Sequence, residues 1–237
     1  ENGNKVWDKE FGGQLNDGGT AITYLEDNTI GVTGYYNVNT SNQDVFVIKT
    51  RIDNGEEIWR KNFGGSESDV GYDIIPSDDG EIFVLGTTFS QGDPNGDIWL
   101  LKLNADGDLI DSLSIGGTGY QAGYSFVKTD DNGFSIAGMA ANTNGATTDV
   151  LVIKVNNDWD IDWVFQYGGS YNDYSYAIDQ FENGWIVAGQ TYSQAAGAGD
   201  AWLLYINKVG QLEWEKTYGS NYNEGFSDVG KAPDEGI

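Results

Sequence analysis

The chain has 237 residues, no Cys and no His, and 37 acidic against 12 basic residues, for a formal net charge of −25. Without Cys or His, this sequence cannot supply a disulfide scaffold, a thiolate or imidazole metal site, or a Ser-His-Asp triad. The charge argues against nucleic-acid backbones and anionic membranes as partners, because both attract Lys and Arg patches, and no apolar run reaches the roughly 20 residues of a membrane-spanning helix.

The first element in chain order, residues 4–11, is predicted to be a strand that leads into a repeated signal. The signal is an apolar or aromatic residue followed by Gly-Gly, weakened to Gly-Ser in the last copy, and its copies step by 52, 52, 52 and 51 residues. The copies begin at Phe11, Phe63, Ile115, Tyr167 and Tyr218. A Trp stands four residues earlier, at Trp7, Trp59, Trp163 and Trp214, with Asp111 in its place in the third copy. A lone Gly also recurs, at Gly34, Gly86, Gly138 and Gly189. This fixed period indicates a repeat architecture.

Each unit is predicted to hold four strands, most clearly at 69–75, 81–88, 97–103 and 108–115. Asp-Gly turns join the first strand to the second and the third to the fourth, and this pair is a strong hairpin signal because Gly accepts a positive φ. The third strands carry apolar residues on both faces of the sheet, at 45–48, 98–101, 150–153 and 201–204. Such a pattern is typical of a strand that is buried on both faces.

A four-stranded antiparallel unit covered on both faces has to pack against copies of itself. This predicts an all-β fold, a β-propeller of four-stranded antiparallel blades, whereas a β-solenoid would have shorter rungs. We expect four complete blades plus one strand at each terminus, with units at 12–63, 64–115, 116–167 and 168–218. The partial unit 219–237 would supply a strand at 224–231 and a turn at 233–236. Either the chain is a segment of a longer array, or another chain completes its last blade.

Residues 59–107 carry three linked motifs: Trp-x-Lys-x-Phe-Gly-Gly-x-x-x-Asp, Asp-Gly-x-Ile-x-Val-x-Gly-x-Thr-x-Ser and Asp-Ile-Trp-Leu-Leu-Lys-Leu-Asn-x-Asp-Gly. This pattern resembles a bacterial secreted β-propeller repeat, common in exported and cell-surface proteins of Bacteroidetes-type bacteria, over nearly the whole chain. The resemblance implies a propeller in an extracellular, cell-surface or periplasmic location. It also implies a role in binding, adhesion or assembly, because no catalytic motif defines these repeats. The third unit departs from the pattern at Asp111 and Gln121.

The strand order places the long loops and the inter-blade links on one face, and the tight hairpins on the other. Function is often carried by long loops on a rigid scaffold, and these loops span 35–43, 87–96, 139–148 and 190–199. The candidate ligand-binding residues on this face are Tyr36, Phe89, Tyr192, Tyr120, Tyr171 and Tyr222. Aromatic rings beside Asn, Gln and Asp suit a sugar and equally a protein partner. Alternatively, these rings cover the blade edges.

Two sets of acidic residues also follow the period. The first comes after each Gly-Gly, at Asp17, Asp69, Asp173 and Glu224, and the second opens the third strands, at Asp44, Asp97, Asp149 and Asp200. Either set would suit calcium, which takes about six to eight oxygen ligands, or would fix turns by accepting backbone N–H groups. Lysines at Lys49, Lys102 and Lys154 are expected to pair with nearby carboxylates, and Tyr205 takes their place in the fourth unit.

These observations predict a non-enzymatic, exported β-propeller that binds a glycan or a protein through its long-loop face. One alternative is an assembly subunit of a surface or secretion complex, with a terminal blade completed by a partner chain. A minor alternative is a carboxylate-dependent enzyme that cleaves glycans. No catalytic residue is predicted, and calcium is the one cofactor that the sequence suggests. The expected partners exclude nucleic acid and direct insertion into a membrane.

Overall fold

A computed structural model describes residues 3–141, 145–195 and 197–231. In these residues the backbone forms sixteen β-strands and no helix, so none of the described segments can cross a membrane as a helix. Every sheet is antiparallel and consists of four strands that are consecutive in the chain. The predicted fold class, an all-β propeller of four-stranded blades, is confirmed.

The chain divides into two compact units, Glu1–Gly116 and Gly117–Ile237, and each contains two blades. The strands of the first unit are β1 (Gly18–Leu25), β2 (Thr29–Asn39), β3 (Asn42–Arg51), β4 (Glu57–Phe63), β5 (Asp69–Pro76), β6 (Ile82–Thr88), β7 (Asp97–Leu103) and β8 (Leu109–Ile115). Those of the second unit are β9 (Gln121–Lys128), β10 (Phe134–Ala141), β11 (Thr148–Val155), β12 (Ile161–Tyr167), β13 (Asp173–Phe181), β14 (Gly184–Thr191), β15 (Asp200–Asn207) and β16 (Leu212–Tyr218). The four strands predicted between residues 69 and 115 agree with β5 to β8 to within one residue.

The third strands are deeply buried, as their apolar residues on both faces predict. Leu100 and Leu101 of β7 point to opposite faces of the sheet, yet each is at most 1% exposed. Val152 and Ile153 of β11 repeat this arrangement in the second unit. Full burial of one such side chain stabilises the fold by about 1.5–3 kcal/mol. These strands therefore form the core that holds the loops and turns in place.

The lone Gly of each unit faces a β-bulge in the neighbouring first strand. The pairing register skips one residue there, and the skipped residues are Thr20, Tyr72, Tyr124 and Tyr176. A Cβ on Gly86 would overlap the carbonyl oxygen of Val70, and one on Gly138 would overlap that of Ala122. The recurring Gly therefore provides space for the bulge, which turns one extra side chain out of the ladder.

Periodic tryptophans join neighbouring blades within each unit. The indole Nε1–H of Trp59 in β4 donates to the carbonyl of Ala105, 3.1 Å away, in the turn between β7 and β8. Trp163 in β12 makes the equivalent bond to Lys208 at 3.2 Å. These two tryptophans therefore pack one blade against the next within their units. Trp214 of β16 stacks instead on Tyr205 of its own sheet, with ring centroids 5.8 Å apart.

The terminal segments 4–11 and 224–231 differ from expectation, because neither forms a strand in the described residues. A strand needs a ladder of backbone hydrogen bonds to a neighbour. Among the described residues these segments make isolated bonds instead, such as that from the Phe226 N–H to the Gly189 carbonyl at 3.1 Å. The turn predicted at 233–236 lies outside the described residues.

One of the four predicted long loops is a hairpin. The segment 35–43 continues β2 to Asn39 and starts β3 at Asn42, so two residues make the turn. The segment is polar, and for that reason the sequence predicts a loop there. Strand pairing uses backbone groups, so polar side chains do not prevent it. The loops 139–148 and 190–199 are described except for residues 142–144 and 196.

Candidate functional site

The long-loop end of the blade β5–β8 is organised around a carboxylate from the first set. Asp69 is fully buried, and its Oδ2 accepts hydrogen bonds from the Gly65 N–H at 3.1 Å and the Ser90 hydroxyl at 2.7 Å. Its Oδ1 accepts one from the Thr88 hydroxyl. The Thr-x-Ser motif at the end of β6 thus surrounds the carboxylate that anchors the preceding Gly-Gly link.

The other residues that follow a link act in the same way. Each accepts a backbone N–H four residues back, at 3.0–3.1 Å in the last three copies: Asp17 from Gly13, Gln121 from Gly117, Asp173 from Gly169 and Glu224 from Ser220. Of the two predicted roles, fixing the inter-blade turns is the one that these contacts show. Within the described ranges, no group of three or more acidic residues is placed to hold a metal ion, and calcium stays a prediction.

The second carboxylate set explains why the links need Gly-Gly. A Cβ on Gly64 would overlap Asp44 Oδ1 and would lie 2.8 Å from Asp69 Oδ2, so two carboxylates occupy its space. A Cβ on Gly65 would lie 2.8 Å from Cβ of Ser90. Burial, followed by the nearby charge of Asp69, raises the pKa of Asp44. The link is therefore tightly packed around two neighbouring acids.

Hydrogen bonds and ion pairs also hold other members of the periodic polar sets. Asp97 accepts the backbone N–H of Asp93 at 3.0 Å and the hydroxyl of Ser114 at 3.1 Å. Lys102 pairs with Glu81 at 2.9 Å, as the sequence predicts for the periodic lysines. These polar residues stabilise the scaffold. The aromatic residues are therefore the better candidates for contact with a ligand.

Two of the predicted ligand-binding residues, Tyr171 and Tyr192, line the same hollow in the second unit. With Tyr174, Asn172 and the 146–147 segment they enclose about 510 Å³, and we call this space the tyrosine hollow. The side chain of Tyr171 is 63% exposed and that of Tyr192 is 37% exposed. The hollow therefore offers accessible aromatic faces beside an amide group.

A row of tyrosine rings continues from the hollow along the first strands. Tyr192 meets Tyr174 edge-to-face at 6.3 Å, and Tyr174 stacks on Tyr176 at 6.4 Å. Tyr176 contacts Tyr124 at 6.2 Å, and these two are the bulge residues of β13 and β9. Burial, followed by the neighbouring tyrosines, raises the pKa of Tyr176. Tyr124, Tyr174 and Tyr176 are not predicted from the sequence, although a Tyr recurs three residues after Asp69, Gln121 and Asp173.

The remaining predicted residues have other surroundings. Tyr36 lies in β2 of the first unit, with its ring against Gly13, and Phe89 of the same unit is half-buried. Tyr120 is half-buried, and its carbonyl accepts the Ala141 N–H at 2.8 Å. Tyr222 is 79% exposed. The structure therefore brings Tyr171 and Tyr192 together into a site.

No model of a known protein family matches the chain. A protein of Caulobacter vibrioides named regulatory protein FlaEY is 24% identical to it, over 74% of this chain and 22% of the relative. The chain thus spans about a fifth of the length of the curated relative that it matches.

Among solved structures, the chain is similar to BamB from Moraxella catarrhalis, with 11% identity and a TM-score of 0.44 over 82% of this chain and 51% of that one. The WD40 domain of Neurospora crassa Pan2 gives 10% identity and a TM-score of 0.48 over 85% and 66%. The β-xylosidase/α-arabinofuranosidase CoXyl43 from a compost metagenome gives 9% identity and 0.48 over 84% and 76%. The fold assignment rests on the four sheets of this chain rather than on these similarities.

Proposed function

We propose that this protein is a non-enzymatic β-propeller module that binds a neutral glycan in the tyrosine hollow. The observation that carries the proposal is the convergence of Tyr171, Tyr174 and Tyr192 on one space of about 510 Å³. Sugar rings present C–H faces that pack on aromatic rings, and phenol and amide groups are suitable partners for sugar hydroxyls. The net charge of −25 favours an uncharged ligand over an acidic polysaccharide.

The arrangement of the buried acids supports a role without catalysis. Asp44 with Asp69 in the first unit, and Asp149 with Asp173 in the second, form equivalent pairs beside a link glycine. Burial, followed by the nearby carboxylate, raises the pKa of Asp44 and Asp149 in the same way. A glycosidase needs one pair of acids at the scissile bond, whereas a pair that recurs with the blades serves the fold.

The exported location implied by the resemblance is part of this proposal. A periplasmic or cell-surface protein meets neutral glycans directly, and the propeller would present the hollow from a rigid scaffold. A protein ligand, or a chain that completes a blade, is the alternative that the experiment below separates from a glycan.

The test is to screen neutral oligosaccharides on an array and to titrate the best one calorimetrically into wild type and Tyr171→Ala. Removing the most exposed ring of the hollow is expected to raise the Kd about tenfold, because a lost contact worth about 1.4 kcal/mol is a factor of ten.

The matched control is Tyr24→Ala, because Tyr24 on β1 is 61% exposed and lies in the first unit. Its Kd is expected to equal that of wild type. Absence of any neutral glycan that binds at millimolar concentration would refute the proposal, as would an equal loss in both variants. A partner protein captured in native mass spectrometry, without glycan binding, would favour the assembly role.

A further inference from the structure

A second cavity lies at the hairpin end of the blades in the second unit. It holds about 250 Å³ between the sheets of β9–β12 and β13–β16. Strand β13 starts beside the tyrosine hollow, and Gln180 near its other end lines this cavity. We call it the tryptophan notch, because Trp163 and Trp185 line it. Its position makes it independent of the proposed glycan site.

The polar groups of the notch carry an excess of negative charge. Lys154 is almost fully buried, and its Nζ lies 2.8 Å from an Asp131 carboxylate oxygen and 2.9 Å from the Val155 carbonyl. Lys208 Nζ lies 3.3 Å from Asp130. Asp162 Oδ2 makes a longer ion pair with Lys154, at 3.9 Å, and its Oδ1 accepts a hydrogen bond from the Asn156 amide at 3.1 Å, yet the Asp162 side chain is 41% exposed. With three carboxylates against two ammonium groups in its lining, the notch favours a cation over an anion.

The aromatic wall of the notch also suits a cation. The rings of Trp163 and Trp185 meet at 62° with centroids 5.7 Å apart, and Trp is the best ring for cation–π contact. The side chain of Trp185 is 3% exposed, whereas that of Trp163 is half-buried. Trp163 therefore offers the ring that a ligand can reach, and Trp185 packs against it.

The first unit provides an internal comparison for this site. The equivalent cavity there holds about 60 Å³, with Lys49 in the place of Lys154. Ile82 stands in the place of Trp185, Glu81 in that of Gly184, and Leu25 in that of the smaller Thr129. Trp163 has a counterpart in Trp59, whereas Trp185 has none among these aligned positions. The larger space and the second ring of the wall therefore come from residues particular to the second unit.

We propose that the tryptophan notch binds a Lys or Arg side chain presented by a basic partner protein. The guanidinium or ammonium group would lie against the Trp163 ring and near Asp162. Arg and Trp are the residue types most enriched at the energetic centres of protein interfaces. The net charge of −25 would speed the approach of a basic partner.

The test uses an acetylated, amidated Gly-Arg-Gly peptide and its citrulline counterpart, which keeps the shape of Arg but not its charge. Each is titrated into the full chain while the indole N–H signals of the 8 tryptophans are followed by NMR. The Arg peptide is expected to shift the signals of Trp163 and Trp185 saturably, and to bind at least tenfold more tightly than the citrulline peptide.

Two charge-matched variants locate the binding. Asp162→Asn is expected to weaken Arg-peptide binding at least fivefold. Asp106→Asn, which removes one charge from an exposed turn of the first unit, is expected to leave it unchanged. Equal binding of the two peptides would overturn the proposal, as would equal weakening by both variants or shifts confined to other tryptophans. Because both substitutions are on exposed side chains, folding is expected to be retained, and the wild-type pattern of the remaining indole signals checks this.

Discussion

At the scale of single residues, the glycines of the links are required by the acids around them. Gly168 lies against Asp149 and Asp173, and Gly169 lies against Ser193. Burial, followed by the charge of Asp173, raises the pKa of Asp149, so loss of water and the neighbouring acid both disfavour its charged form. A side chain at Gly168 would have to enter this already crowded space.

Replacing Gly168 with Ala is therefore expected to destabilise the protein. The new Cβ would overlap Asp149 Oδ1 and lie 2.8 Å from Asp173 Oδ2, so at least one of the two carboxylates must move. Overpacking of this kind typically costs about 1–3 kcal/mol. The measurement is the free energy of unfolding from urea denaturation, followed by tryptophan fluorescence.

The control for Gly168→Ala is Gly117→Ala in the link that opens the second unit. A Cβ on Gly117 would have no other atom within 4 Å among those that the structure describes, so its effect is expected to stay within about 0.5 kcal/mol. Equal destabilisation by the two substitutions would show that backbone entropy, and not the pair of acids, makes Gly necessary in these links.

At the scale of elements, Trp59 of β4 and Trp163 of β12 each join one blade to the next within a unit. Trp59 reaches from β4 to the carbonyl of Ala105, and its ring also lies against Gly107, whose φ is +79°. The turn residue is Gly for two reasons, since it must adopt a left-handed conformation and must leave room for the indole ring. One tryptophan thus sets the position of the following hairpin.

Replacing Trp59 with Phe keeps a ring in this place but removes the indole donor. The Ala105 carbonyl then loses its bond from Nε1, and a hydrogen bond of this kind contributes about 0.5–1.5 kcal/mol. We expect the free energy of unfolding to fall by at least about 0.5 kcal/mol. Trp214→Phe is the control, because its ring stacks on Tyr205 and Phe can still stack; a larger loss there would contradict the role given to the Trp59 bond.

The sequence predicts a strand well where turn residues bound an apolar run on both sides. Strand β7 follows Gly96 and ends before Asn104, so its predicted and observed bounds agree. The bulge opposite Gly86 was not predicted, because it depends on the register between two strands, which a single strand's sequence does not carry. The hairpin at 35–43 was missed for a related reason, since its polar residues pair through the backbone.

The candidate site was harder to predict from sequence than the blades. Tyr171 and Tyr192 stand out as exposed aromatics on links and loops, but Tyr174 belongs to a strand, and its place in the hollow depends on the packing of the blade. Trp185 reads as a core residue in sequence, and its place in the wall of the notch becomes visible only in three dimensions. Spacing therefore identifies the scaffold, whereas the ligand sites depend on contacts between segments distant in sequence.

At the scale of the whole molecule, the contacts of the acidic residues explain part of the net charge of −25. Many of the acids lie in turns and links, where they accept backbone N–H groups, as Asp69 and Asp173 do. The net negative charge disfavours acidic ligands. It agrees with the neutral ligand proposed for the tyrosine hollow and with the cationic one proposed for the tryptophan notch.

The central claim is that the tyrosine hollow holds a neutral glycan, and ring-labelled tyrosine NMR tests it most directly. The chain has 14 tyrosines, and their ring signals would be followed during titration with the array-selected oligosaccharide. The account predicts saturable shifts at Tyr171, Tyr174 and Tyr192 and none at Tyr24. Shifts at other tyrosines with these three unchanged would contradict it.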